Sequence, residues 1–232
     1  MKGSSQKKRS TPIYQTRTAE KRRSRRLLAV GAGVLLLLAV AGIALGLAPQ
    51  GEGEAVRTGS GEKSKGAAAA QVVVEEFADF QCPACRRFFE SPARLLEKEY
   101  VSAGKVKFVF RHYAFLGQES RWAAEASECA NEQGRFWDFY EKLFMEQAGE
   151  NVGVFSKQNL QRFAAELGLD TTTFGTCLTS GKYTERVLLD MNEAGSRGVR
   201  GTPTLFINGQ RVEGGSDYMV LRQSIEAALN AD

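Results

Sequence analysis

Phe80-Gln-Cys-Pro-Ala-Cys-Arg-Arg-Phe-Phe89 places two cysteines two residues apart at the start of a predicted helix. The mostly apolar run Val72–Phe77 before it predicts a buried strand. Pro83 fits the first helical position, where the amide that proline lacks would have no partner. Cys82 then lies at a helix N-terminus, which favours the thiolate, the attacking form of the side chain. Cys85 lies one turn further along and can attack a mixed disulfide formed at Cys82.

This cysteine pair has two other interpretations, half of a zinc site and an inert structural disulfide. A structural zinc site needs four ligands, whereas Cys129 and Cys177 each stand alone in the sequence and His112 is the single histidine. The order strand, Cys-x-x-Cys, helix is typical of redox proteins. The sequence therefore favours thiol–disulfide chemistry and predicts neither a metal nor a cofactor.

The charges divide the chain into two parts of opposite sign. Residues 1–70 carry 13 Lys/Arg and 4 Asp/Glu, whereas residues 71–232 carry 18 and 23. The basic character thus belongs to the N-terminal part of the chain. This distribution argues against nucleic-acid binding by the folded domain.

The N-terminal part predicts a membrane anchor. Residues 1–26 are basic, and the 22 residues of 27–48 carry no charge, enough to cross a hydrocarbon core of about 30 Å. A cleaved signal peptide has an apolar core of only about 7–15 residues, so an uncleaved transmembrane helix is favoured over cleavage after Ala48. Because the basic residues precede the span, the tail 1–26 is expected in the cytoplasm and the rest of the chain outside it. Residues 49–70, rich in Gly, Ala, Ser and Glu, predict a flexible linker.

Residues 71–232 predict one α/β domain. A helix from Cys82 to Tyr100, kinked at Pro92, connects two strands into a right-handed βαβ unit with parallel strands. A long helical block follows, from Glu119 to about Met191. The last predicted elements are a strand Leu205–Ile207, a turn at Asn208-Gly209, an antiparallel strand Gln210–Glu213 and a final helix.

Four residues outside the Cys-x-x-Cys stretch are candidates for a role. Glu76 is a carboxylate in an apolar strand, which is costly unless it is protonated or paired; it is either a buried functional acid or a strand-end residue that reaches solvent. His112 follows a strand and is more typical of a surface or packing residue. Cys129 and Cys177 lie on apolar sides of predicted helices, and an oxidising compartment favours a structural disulfide between them over two buried thiols.

Three motifs carry a resemblance to a known family: Phe77-Ala-Asp-Phe-Gln-Cys-Pro-Ala-Cys85, Gly134-Arg-Phe-Trp137 and Gly198-Val-Arg-Gly-Thr-Pro-Thr204. With them the chain resembles a membrane-anchored, DsbA-like thiol:disulfide oxidoreductase of the thioredoxin superfamily. The resemblance implies a thioredoxin fold, βαβ plus ββα, with a helical insertion at about residues 115–195.

The resemblance also implies roles for individual residues. Pro203 would be cis and face the cysteine pair, the backbone of Thr202 would pair with a substrate strand, and Glu76 would be a buried acid and candidate proton relay below the cysteines. Cys82 would form mixed disulfides with thiol-bearing proteins outside the cytoplasm, Cys85 would resolve them, and a membrane redox partner would reoxidise the pair.

Two departures from the family leave alternatives open. Pro83-Ala84 lacks the histidine that stabilises the thiolate in the best-known oxidases, and Thr202 also precedes the cis proline in disulfide isomerases. The same site acting as a reductase or isomerase is therefore one alternative. A thioredoxin-like binding or chaperone module is the other.

Overall fold

A mixed five-stranded sheet forms the centre of residues 63–231, the part of the chain that the computed structural model describes. The strands are β1 (Ser64–Lys65), β2 (Val72–Ala78), β3 (Val106–His112), β4 (Thr204–Ile207) and β5 (Gln210–Val212), in the spatial order β1-β3-β2-β4-β5. β2 and β3 run parallel, whereas the other neighbouring strands are antiparallel. The domain therefore has the predicted α/β thioredoxin fold.

Helices connect these strands. They are α1 (Pro83–Phe88), α2 (Arg94–Leu96), α3 (Gln118–Glu132), α4 (Phe136–Glu146), α5 (Lys157–Glu166), α6 (Thr171–Ser180), α7 (Thr184–Ser196) and α8 (Tyr218–Leu229). The predicted helix from Cys82 to Tyr100 is interrupted by two π-helical segments, Phe89–Ala93 and Glu97–Val101. Pro92 lies in the first of them, where a wider turn accommodates the missing amide. Helices α3 to α7 form the predicted insertion between β3 and β4.

The two faces of the sheet bury different groups, because successive side chains of a strand point to opposite faces. Val72 and Val74 of β2 pack with Phe88 of α1 and Leu221 of α8. On the opposite face, Phe77 contacts Phe206 of β4 with ring centroids 5.7 Å apart, and α7 covers them. Glu76, the residue before Phe77, therefore lies on the same face of the sheet as Val72 and Val74.

Strand β1 corrects the predicted linker. The sequence predicts a flexible segment over residues 49–70, but Ser64 and Lys65 pair with β3, and Lys63 is only 2% exposed. The Trp137 indole donates a hydrogen bond to the Ser64 carbonyl oxygen, and the Lys65 ammonium lies 4.6 Å from the centre of the same ring. The folded domain thus includes residue 63 and does not begin at residue 71. The amino-acid composition does not reveal this strand, because main-chain hydrogen bonds and the ion pairs of two lysines fix it in place, rather than apolar side chains.

The predicted transmembrane helix at residues 27–48 and the tail before it lie outside the described residues. Within residues 63–231, no helix combines the length and apolar character that a bilayer crossing requires.

A disulfide lies inside the helical insertion. It joins Cys129 of α3 to Cys177 of α6, with the two Cα atoms 5.9 Å apart. The sequence favoured this bond over two free thiols. Closing a loop in this way typically stabilises a domain by about 2–4 kcal/mol.

The β4–β5 hairpin turns at Asn208-Gly209, as the sequence predicts. Both residues have positive φ angles, 48° and 81°, which a two-residue type I′ turn requires. The Asn208 side-chain oxygen also accepts a hydrogen bond from the Val73 amide at 2.8 Å. The turn is therefore fixed to the central strand as well as to its own hairpin.

Candidate active site

Cys82 is the N-cap residue of α1, at the end of the loop that follows β2. Its backbone is extended, with φ −72° and ψ 120°, and Pro83 opens the helix as predicted. Cys82 retains 9% of its surface exposed, whereas Cys85 is completely buried. Both are free thiols in this structure. Of the two sulfurs, Cys82 is therefore the one that solvent and other proteins can reach.

The two thiols also differ in acidity. A hydrogen bond from Cys85 is the largest effect that lowers the pKa of Cys82 to about 6; burial opposes it, and the Thr202 side chain and the Cys85 and Ala84 amides add to it. The predicted helix N-terminus thus contributes, but less than the neighbouring thiol does. Burial, reinforced by the hydrogen bond to Cys82 and the charge of Glu76, raises the pKa of Cys85 well above its usual value. Above about pH 6, Cys82 is therefore a thiolate while Cys85 keeps its proton.

The main chain of Thr202, the residue before Pro203, lies beside Cys82. The end of β2 meets the start of β4, because these strands are antiparallel neighbours, so the loop before β4 approaches the loop after β2. The Thr202–Pro203 peptide bond is cis, as the resemblance implies. The Cys82 thiol donates to the Thr202 carbonyl oxygen at 3.3 Å. A short stretch of main chain thus lies directly beside the more acidic sulfur.

Glu76 is completely buried on the sheet face below the cysteines. Its neighbours across the sheet are Phe110 and Leu205, and neither of its carboxyl oxygens has a hydrogen-bond partner among residues 63–231. Burial raises the pKa of Glu76 to about 8, the charge of Cys82 adds to the rise, and Tyr140 opposes it. Glu76 is therefore protonated at neutral pH. The sequence allowed either a buried acid or a strand-end residue that reaches solvent, and in the structure Glu76 is buried.

Buried hydrogen bonds tie the loop before Cys82 to the helical insertion. Asp79 accepts from the Gln81 amide at 2.8 Å and from the Ser120 hydroxyl at 2.6 Å. The Gln81 side chain donates to Ser120 at 2.7 Å, and Gln147 donates to the Phe80 carbonyl oxygen at 2.6 Å. Asp79 and Gln81 lie inside the motif that carried the resemblance, but their partners come from distant segments. Sequence reasoning therefore missed them as supports of the site.

Within residues 63–231, one cluster has ligand atoms close enough for a metal ion. His112, Glu128 and Asp190 bring such atoms within 4.8 Å of one another. The Lys63 ammonium already lies among them, 2.5 Å from the Glu128 carboxylate and 2.8 Å from that of Asp190. Lys63 thus supplies the positive charge that a metal would bring, and we assign no metal to the cluster. His112 is part of this buried network rather than a surface residue, and burial and the Lys63 charge lower its pKa.

Known proteins share this domain. The family model described as thioredoxin matches residues 59–227. A probable disulfide bond formation protein D from Bacillus anthracis is 31% identical over 170 residues, which cover 72% of this chain and 77% of that protein. The crystal structure of oxidised BdbD from Bacillus subtilis superposes with a TM-score of 0.69 at 29% identity, over 77% of this chain and 100% of that one.

One further solved structure has the same fold, and one further relative matches this chain over only a part of its own length. α-DsbA1 from Wolbachia pipientis has the same fold, with a TM-score of 0.65 at 22% identity, over 72% of this chain and 90% of that one. A Na⁺/H⁺ antiporter NhaA 3 from Salinispora tropica is 34% identical over 167 residues, 71% of this chain, but the match spans only 24% of the antiporter. The chain therefore belongs to the thioredoxin family and is a DsbA-like protein-disulfide oxidoreductase, related to the disulfide bond formation proteins D.

Proposed function

We propose that the protein donates disulfides to thiol-bearing proteins outside the cytoplasm through Cys82 and Cys85. The difference in acidity and exposure between the two sulfurs supports this assignment. A substrate thiolate attacks Cys82 of the oxidised pair, the Cys82–Cys85 bond breaks, and Cys85 leaves as a thiolate. A second substrate thiolate then attacks the substrate sulfur of the mixed disulfide. Cys82 departs as a thiolate, and a sulfur of low pKa leaves faster.

Thr202 and Pro203 would hold the substrate during this exchange. The carbonyl oxygen of Thr202 is within hydrogen-bonding distance of Cys82, so an extended substrate segment that pairs with this main chain would bring its sulfur to Cys82. Main-chain pairing of this kind is independent of the side chains of the client. It therefore suits an enzyme that acts on many proteins.

The direction of electron flow is tested by the stability of the two redox forms. The lowered pKa of Cys82 stabilises only the reduced form, because a disulfide carries no charge. We expect the reduced protein, residues 59–232, to unfold at a higher temperature than the oxidised protein at pH 7. The contribution of a group with a depressed pKa is full above its ordinary value, 9.0 for this thiol, and is lost as the pH falls to the folded-state value, so the difference should increase from pH 7 to pH 9 and largely disappear below about pH 6.

The control for this measurement is the Cys82→Ala/Cys85→Ala variant, which keeps the Cys129–Cys177 bond. It should unfold at the same temperature under both redox conditions. A higher midpoint for the oxidised wild-type protein would mean that the pair holds its disulfide. The function would then be that of a reductase or isomerase.

The location of the domain is the second part of the proposal. We propose that residues 27–48 anchor the chain in the cell membrane, with residues 1–26 in the cytoplasm, and that a membrane redox partner reoxidises Cys82 and Cys85. The excess of Lys and Arg before the uncharged segment supports this orientation.

Protease added to intact cells should therefore degrade the domain and spare an epitope placed within residues 1–26. In permeabilised cells both parts should be degraded, which shows that the epitope is cleavable. Protection of the domain in intact cells would contradict the orientation.

A further inference from the structure

Two adjacent glutamates of β2 have opposite surroundings. Glu75 points to the face of Phe77, where its carboxylate lies 2.9 Å from Arg197 and 3.4 Å from Arg111. Glu76 points to the other face and lies between apolar strand neighbours. Among residues 63–231, the cations that form ion pairs with these two glutamates therefore pair with Glu75, and none pairs with Glu76. Glu76 depends on groups that approach it from the helices.

The groups that face Glu76 from the helices are Cys82 and Cys85 of the α1 segment and Tyr140 of α4. The Tyr140 ring is packed in an aromatic box, with six ring centroids 4.9 to 6.2 Å from its own. The box consists of Phe80, Phe89, Phe110, Phe136, Trp137 and Phe144. Tyr140 is thus held firmly by its ring.

The hydroxyl of Tyr140 has no packing role in this box. It is buried and has no hydrogen-bond partner among residues 63–231. A buried hydroxyl without a partner destabilises a fold, and phenylalanine would fill the same box without that cost. The hydroxyl acts on the Glu76 carboxyl, whose pKa it lowers, although the two groups do not form a hydrogen bond of ordinary geometry in this structure. Geometry also brings the two residues together, because Phe110 is the neighbour of Glu76 in the sheet and its ring centroid is 5.3 Å from that of Tyr140. Glu76 and Tyr140 therefore carry two buried polar groups without partners that can satisfy each other.

We infer that Tyr140 is a positioning residue for Glu76, and that its hydroxyl donates a hydrogen bond to the carboxylate whenever Glu76 has given its proton to Cys85. This inference rests on the proposed exchange at Cys82 and Cys85. When the substrate attacks Cys82, Cys85 leaves as a buried thiolate and takes the proton of Glu76. The resulting carboxylate, which pairs with no cation of residues 63–231, is stabilised by Tyr140. When Cys85 next attacks a mixed disulfide, its proton returns to Glu76 and the departing thiol leaves as a thiolate.

The first test measures Glu76 directly. In the full-length reduced chain, labelled with ¹³C at the glutamate carboxyl carbons and assigned with Glu76→Gln, the titration midpoint of Glu76 should rise in Tyr140→Phe. A hydrogen bond from a neutral donor to a charged group predicts a rise of about one pH unit, a tenfold change in the acid dissociation constant. The charges of Glu97 and Glu141 also act on Tyr140 and are unchanged in this variant.

The second test measures the rate at which a peptide is released from a mixed disulfide with Cys82. Because Cys85 must lose its proton to the Glu76 carboxylate before it attacks, the rate should rise with pH through the titration of Glu76. In Tyr140→Phe this profile should move to higher pH by the same amount. In Glu76→Gln, adding Tyr140→Phe should move nothing. Tyr100→Phe is the matched control, because the Tyr100 hydroxyl also donates to a glutamate, Glu226.

The outcomes separate this inference from the proposed function. An unchanged Glu76 midpoint in a folded Tyr140→Phe variant overturns the role of Tyr140, even if the wild-type chain exchanges disulfides normally. A shifted midpoint with an unshifted release profile also overturns it, because Glu76 would then not serve Cys85. A shift of equal size in Tyr100→Phe would show a global effect and overturn it as well. Failure of the wild-type chain to exchange disulfides at all would overturn the function and, with it, the relay.

Discussion

Cys85→Ser is expected to accumulate mixed disulfides with other proteins, whereas Cys82→Ser is expected to form none. In Cys85→Ser the Cys82 thiolate attacks a disulfide of a partner protein and displaces one of its sulfurs as a thiolate, but no second thiol is left to resolve the product. In Cys82→Ser the remaining sulfur is completely buried, and its pKa is raised well above the usual value. The thiolate fraction of this sulfur at pH 7 is therefore far smaller than that of Cys82, whose pKa is about 6, and burial reduces exchange further.

Non-reducing gels of alkylated full-length protein from its native compartment measure this trapping. The Cys129→Ser/Cys177→Ser variant controls for the structural pair and should trap no partners beyond the wild-type level. Equal trapping by Cys82→Ser and Cys85→Ser would contradict the division of labour between the two sulfurs. So would the absence of trapping by both.

The largest effect on stability is expected from Lys63→Met. This change removes the cation between Glu128 and Asp190, whose side chains are both only 4% exposed. Removing one partner of a buried ion pair leaves an uncompensated charge and typically costs about 3–5 kcal/mol. Urea denaturation of residues 59–232 at pH 8 should show a loss of this size. The loss should become smaller as the pH is lowered, because burial, the larger effect, still lowers the pKa of His112 but the Lys63 charge no longer does, so that an imidazolium can replace part of the missing positive charge.

Lys65→Met is the matched control for this prediction. Lys65 is two residues away in the same segment and pairs with Glu97, but its side chain is 18% exposed and that of Glu97 is 44% exposed. Ion pairs of this kind contribute about 0–1 kcal/mol. Equal losses in the two variants would mean that the strand matters through its main chain and that the buried ammonium adds nothing.

The parts of the fold that were predictable from the sequence are those that depend on residues close together along the chain. The Cys-x-x-Cys between a strand and a helix, the Asn208-Gly209 turn and the helical insertion each have a signature within a few residues. Apolar periodicity reveals which residues are buried, but not which distant polar group meets another. Lys63 and Asp190 are 127 positions apart, so neither reveals the other in a single sequence. The support that Gln147 gives to the loop before Cys82 was missed for the same reason.

Glu76 and Tyr140 illustrate the same limit within the site. The sequence indicated that an acid in an apolar strand needs an explanation. Tyr140 lies in α4 among other aromatic residues, a pattern that is typical of core packing and does not single out its hydroxyl. Its ring is indeed core, since it contacts six other rings. Only the fold shows that the Tyr140 ring packs against Phe110, which is the neighbour of Glu76 in the sheet.

The two outermost strands of the sheet are both very short, with two residues in β1 and three in β5. Their side chains include Lys65 at one margin and the exposed Arg211 at the other. Short, charged margins discourage another chain from adding to a sheet and starting aggregation. The function proposed above brings extended segments of other proteins to Cys82. Within residues 63–231, the two margins of the sheet offer such segments little main chain to which another strand could be added.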